Sequence, residues 1–154
     1  MSPTEDDITR LFPDLRSWDD GRGITAGAWL NMFGRRRDAL MLTPLFWPVF
    51  KEHDGCLLWA DFSLDSYESW MESTGRNRTT VESVMNHRHV TDLFLNDPEE
   101  ATQEQVEFLG SVLREMWEAK LRRDFPHLPV QVDFHWQDRE ASDDAQLYVY
   151  LNRA

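Results

Sequence analysis

Near the carboxyl end of the chain the apolar residues change spacing, from the 3.6-residue period of a helix to the 2-residue period of a strand. Val130, Val132, Phe134 and Trp136 alternate with Gln131, Asp133 and His135. Leu147, Val149 and Leu151 alternate in the same way with Gln146, Tyr148 and Tyr150. Two such runs joined by the acidic loop from Gln137 to Ala145 predict an antiparallel hairpin. A hairpin alone is marginal in water, so its aromatic side, Phe134 and Trp136, must dock on other elements.

What precedes it is mainly helical. Val106, Leu109, Leu113, Met116 and Trp117 fall on one side of a long helix, opened by Asp97, Pro98 and Glu100 or else by Thr102 and Gln105, that ends near Asp124 before Pro126. Thr79 with Glu82 reads as a capping box for a helix running to about Leu95, and Asp65 with Glu68 as another for a helix through Glu72, with Gly75 as its stop. Cys56 to Phe62, apolar and preceded by the turn-like His53, Asp54 and Gly55, suits a strand buried on both faces. Toward the amino end, Ser2, Pro3 and Glu5 open a short helix ending before Pro13. Ile24 to Phe33 forms another, closed by Gly34 in the left-handed conformation, and Pro44 and Pro48 break the run from Ala39 to Phe50 into turns. The expected fold is α+β: a small, mostly antiparallel sheet of about three strands, including the carboxyl-terminal hairpin, covered by several helices, as a single domain over residues 1–154.

Composition narrows the function classes. With 28 Asp and Glu against 16 Lys and Arg, the 154-residue chain carries a net charge of −12. Residues 55–110 alone hold eleven acids and three bases. That balance argues against a nucleic-acid partner. The lone cysteine, Cys56, excludes an intrachain disulfide and a Cys-based zinc site, and fits a reducing, cytoplasmic setting. Glu5, Asp6 and Asp7 stand where a signal peptide needs basic residues, and Ala39 to Phe50 is too short and too broken to span a bilayer, so no membrane association is expected. No cofactor is expected either. Gly21, Gly23 and Gly27 lack the spacing of a dinucleotide fingerprint, and Ser111 lacks a nucleophile elbow.

The densest chemistry lies between Glu82 and Asp92. On a helix, His87 and His89 would point about 200° apart and could not chelate one metal ion, whereas Glu82, Asn86, His89 and Asp92 would form one polar stripe between two apolar flanks. Two readings follow. In the first, Glu82, Asn86 and His89 are a hydrogen-bonded network inside the core. In the second, His89 is a general base or metal ligand, with Glu82 or Asp92 as its carboxylate and His135 reaching in from the hairpin. Cys56, beside Asp54 and at the start of a strand, reads as a core residue rather than a nucleophile. Arg35, Arg36 and Arg37 pair with the chain's own acids or grip an anion, and the Leu, Phe and Trp residues of 39–50 fill the core or face a partner.

These features favour a non-enzymatic protein-binding or inhibitor module of the immunity-protein type. It would engage a basic protein through the acidic middle third and the loop from Gln137 to Ala145. The alternative is an enzyme or small-ligand or metal-binding protein built on His89 with Glu82 and Asp92. Several acids also have local work in this reading, with Glu68, Glu82 and Glu100 in capping boxes and Asp65 and Asp97 as caps, which shrinks the surplus left for a partner.

Overall fold

The computed structural model describes residues 4–97, 99–136 and 145–153, which divide into two compact units, 1–43 and 44–154. The fold is α+β, with two small antiparallel sheets. The acidic loop from Gln137 to Asp144 and the Ser2–Pro3 helix start lie outside the described residues.

The amino-terminal unit contains α1 (Glu5–Leu11), a 3-10 turn at Pro13–Ser17, the single turn α2 (Trp18–Gly21) and α3 (Ala26–Phe33). It also holds the first part of α4 (Arg36–Phe46). Thr25, not Ile24, starts α3, its hydroxyl accepting from the Ala28 N–H at 3.1 Å. Gly34 ends that helix in an extended conformation (φ −62°, ψ 132°) rather than the expected left-handed one. Glycine is needed there for a different reason, because a Cβ would lie 2.5 Å from the Leu30 carbonyl oxygen. α4 continues through Pro44, losing the one hydrogen bond that an N–H there would make to the Leu40 carbonyl, and ends two residues later, so the prolines do not reduce this run to turns.

In the second unit, β1 (Phe50–His53) and β2 (Cys56–Trp59) form a hairpin around Asp54 and Gly55, both at positive φ (48° and 73°). An Asp-Gly pair in that conformation is the two-residue turn whose twist matches the flanking strands, so what reads in sequence as one strand after a turn is a pair of strands. β2 is buried on both faces as expected. Cys56 and Leu58 point into a cluster with Tyr67, Met71 and Val81, and Leu57 into the larger core. α5 (Leu64–Ser73) is capped by the Ser63 hydroxyl, and α6 (Arg78–Asn86) by the Asn77 side chain. Both expected capping boxes are therefore displaced by neutral caps two residues earlier.

α6 does not run to Leu95. It ends at Asn86, Arg88–His89 become a two-residue strand, β3, and Thr91–Phe94 form a 3-10 turn. The edge of the next sheet causes the break, since Arg88 and His89 pair with Leu147 and Gln146 and the Val90 N–H donates to the Ala145 carbonyl. α7 (Gln103–Asp124) begins with the Thr102/Gln105 capping box, the second of the two starts read from the sequence. The antiparallel hairpin β4 (Val130–His135) and β5 (Gln146–Leu151) forms as expected, pairing Val130 with Leu151 and His135 with Gln146, and the sheet order is β3-β5-β4. Its inner face packs on α7, with Trp117, Leu113, Leu121, Val132 and Val149 at the centre.

Candidate functional site

The end of α6 decides where the chemistry between Glu82 and Asp92 goes. A stripe of Glu82, Asn86, His89 and Asp92 needs an unbroken helix, and the change to β3 after His87 scatters it. Glu82 and Asn86 stay on α6 and face inward, both fully buried. His89 moves to a strand, and Asp92 to the exposed surface of the 3-10 turn.

Glu82 and Asn86 fill a gap between the two sheets. On β2, the groups of Leu57 and Trp59 that face away from β1 have no strand beside them among the described residues, nor do those of Val149 and Leu151 facing away from β4. Glu82 Oε1 accepts from the Leu57 N–H (2.7 Å) and Oε2 from the Leu151 N–H (3.0 Å). Asn86 donates to the carbonyls of Leu57 (2.7 Å) and Val149 (2.9 Å) and accepts from the Trp59 N–H (3.3 Å). The two side chains thus supply the hydrogen bonds that a neighbouring strand would otherwise provide. The buried charge is balanced by Arg153, whose Nη1 and Nη2 meet the two carboxylate oxygens at 2.5 and 2.8 Å. Arg153 also donates to the Thr79 hydroxyl and the Gly55 carbonyl, while Arg78 donates to the Asp54 carbonyl, so two arginines hold the β1–β2 turn. Arg153 has no helical or strand periodicity to mark it in the sequence. The one available signal is a basic residue just beyond an apolar strand in a chain with a buried carboxylate to neutralise.

His89 takes part in a different arrangement. The registers place His89 and His135 on either side of Gln146, in one row across the outer face of the sheet. The same face carries Tyr148, whose ring centroid lies 6.3 Å from that of His87 and 5.5 Å from that of His135, while the His87 and His89 rings are 5.3 Å apart. The 200° separation expected of the two histidines therefore does not apply. His87 Nδ1 sits 2.5 Å from the Val84 carbonyl, an acceptor to which the ring donates in the tautomer that carries its proton on Nδ1. Further along the face the Tyr150 hydroxyl donates to Asp133 at 2.5 Å, and the charge and hydrogen bond of that carboxylate push the phenol up to about 12. Among the described residues no three His, Cys, Asp or Glu side chains converge closely enough to hold a metal ion.

Cys56 is fully buried beside Tyr67. Burial pushes its thiol up and the Glu82 carboxylate adds to this, opposite to what a thiolate nucleophile requires. The run from Ala39 to Phe50 divides: Leu45 and Phe46 pack on the core and Phe50 is buried within it, whereas Leu40 and Met41 are exposed.

The acidic surface is larger than capping chemistry would leave it. Asp65, Glu68 and Glu72 all lie within about 60° on an exposed face of α5, about 110° around the helix from the buried Tyr67 and Met71. Their carboxylates have no ion pair or cap to serve among the described residues, and all three side chains are exposed. No family model matches the chain, and no curated protein or solved structure matches it.

Proposed function

We propose that this protein is a non-catalytic binding module for a basic protein, of the inhibitor or immunity type, and that it works in the reducing cytoplasm where Cys56 remains a thiol. The observation that carries this reading is the outer face of α5, where three exposed carboxylates stand without internal partners among the described residues. Such a face steers a cationic partner. Residues 44–154 hold 21 of the 28 acids and 10 of the 16 bases, so the field around the second unit is strongly negative.

The test has two stages. A protein captured from the native host must bind more weakly as salt rises, and a chain carrying Asp65→Lys, Glu68→Lys and Glu72→Lys must lose that binding while keeping its unfolding midpoint. Binding that is indifferent to both salt and charge reversal overturns the proposal.

A second reading rests on the His89–Gln146–His135 row, which supports a small-ligand or acid–base site on the outer face of the β3-β5-β4 sheet, with Tyr148 as its aromatic floor. Glu82 is not its carboxylate in this form, since it is held in the core by four hydrogen bonds. Histidine ring resonances that shift together on adding a ligand, and fail to do so in His89→Ala and His135→Ala chains, would favour it over the acidic face.

A further inference from the structure

We propose that the amino-terminal unit is a self-association arm, in which the apolar faces of α3 and α4 are covered by the same unit of a second copy of this chain. Every residue from 27 to 41 is exposed. That stretch contains Trp29, Leu30, Met32, Phe33, Leu40 and Met41, with exposures from 40% to 72%. On α3 the four large apolar residues occupy an arc of about 160°, with Gly27 and Asn31 on the opposite side, so this helix has the pattern of one that is packed against something. Among the described residues of the unit, Leu11 is the one fully buried hydrophobic side chain. A unit of 43 residues with so little interior lies near the lower limit at which a core can sustain itself.

Two quantities select the occupant. The six exposed side chains, at roughly 150–250 Å² each and about half exposed, present about 700 Å² of apolar surface per chain. That sum is close to the ~800 Å² that each partner contributes to a standard interface. The second quantity is charge. Residues 1–43 hold seven acids and six bases, a net of −1, whereas residues 44–154 carry −11. Two copies at −12 each repel least where they meet through the near-neutral unit, and an interface rich in Leu, Met and Trp has the composition of a homodimer. A basic protein would instead be drawn to the second unit, and an anionic membrane would be repelled by the chain as a whole.

The test is the mass of the full chain in solution, measured by sedimentation from about 1 to 100 μM. The expected result is a species of twice the 18.2 kDa chain mass. Leu30→Glu with Met41→Glu shifts it to the single-chain mass across the range, a weakening of about a thousandfold or more, and Trp29→Ala does so in part. Both leave the urea midpoint of the second unit unchanged, while Glu68→Lys leaves the dimer intact. The proposal is overturned by single-chain mass at every concentration, or by a dimer that survives both α3 and α4 substitutions. It is also overturned by a single-chain species that cosediments with phosphatidylglycerol vesicles through the same residues, which would make the arm a membrane-binding one. The acidic face of α5 is a separate surface, so either proposal can fail without the other.

Discussion

Arg153 closes on Glu82 with two hydrogen bonds, joining the end of the chain to the middle of α6 across 71 residues of sequence. The pair is asymmetric. Glu82 is fully buried, whereas the Arg153 side chain is 31% exposed, so removing the arginine strands a charge that cannot reach water. Arg153→Ala should therefore cost about 3–5 kcal/mol, measured by urea unfolding. Arg153→Ala combined with Glu82→Gln should recover part of that loss, because the amide carries no buried charge and still accepts one backbone N–H. An Arg153→Ala chain as stable as the parent would remove the pair from any account of how the two sheets are held together.

Tyr150 gives a pH prediction with a definite sign. Its hydroxyl donates to Asp133, and ionisation is pushed from 10.0 up to about 12. A folded-state value above the unfolded one means the native chain holds the proton more tightly, so this stability is fully present below about pH 10 and is lost as pH rises toward about 12. Tyrosinate absorbance should show a late-titrating phenol that disappears in Tyr150→Phe and moves to lower pH in Asp133→Asn.

Capping of α5 separates two neighbouring residues. The Ser63 hydroxyl accepts from the Ser66 N–H at 3.3 Å, while Asp65 lies inside the first turn with its carboxylate outward. Ser63→Ala should destabilise by about 1 kcal/mol, whereas Asp65→Asn should cost only a few tenths through the helix dipole. The reverse order of the two effects in thermal unfolding would reinstate Asp65 as the cap and take it out of the proposed docking face.

Gly110 in the middle of α7 tests packing against propensity. A Cβ there would come within 2.4 Å of the Phe134 ring on β4. Gly to Ala in a helix interior normally gains about 1 kcal/mol, but forcing a ring out of a packed position costs about 1–3 kcal/mol. Gly110→Ala should therefore be neutral to destabilising, by up to about 2 kcal/mol, and Gly110→Ala with Phe134→Leu should do better than either change alone suggests. A clear gain in stability from Gly110→Ala alone would show that the ring moves aside freely.

Elements whose pattern is local are legible in the residues themselves. The alternation of Val130 to Phe134 and Leu147 to Leu151 specified β4, β5 and their inward faces, because a two-residue period can bury one side of a strand only one way. The Thr102/Gln105 box and the stripe from Val106 to Trp117 likewise specified α7. Tertiary contacts decided what lay between. Residues 78–95 carry helical periodicity throughout, yet the helix stops at Asn86, because the edge of β5 needs Arg88, His89 and Val90 to complete its hydrogen bonds. That one break sent Glu82 into the core, brought His89 into line with His135, and placed His87 beside Tyr148. Sequence alone likewise marked Asp54-Gly55 as a turn, while β1 and β2 took form only by pairing across it. Charge was countable from the residues, but which carboxylates were spent inside and which remained on α5 depended on hydroxyl and amide side chains reaching the helix ends first. Helix and strand preference is set over a few neighbouring residues, whereas the satisfaction of a buried polar group depends on whatever the fold brings within about 3 Å of it.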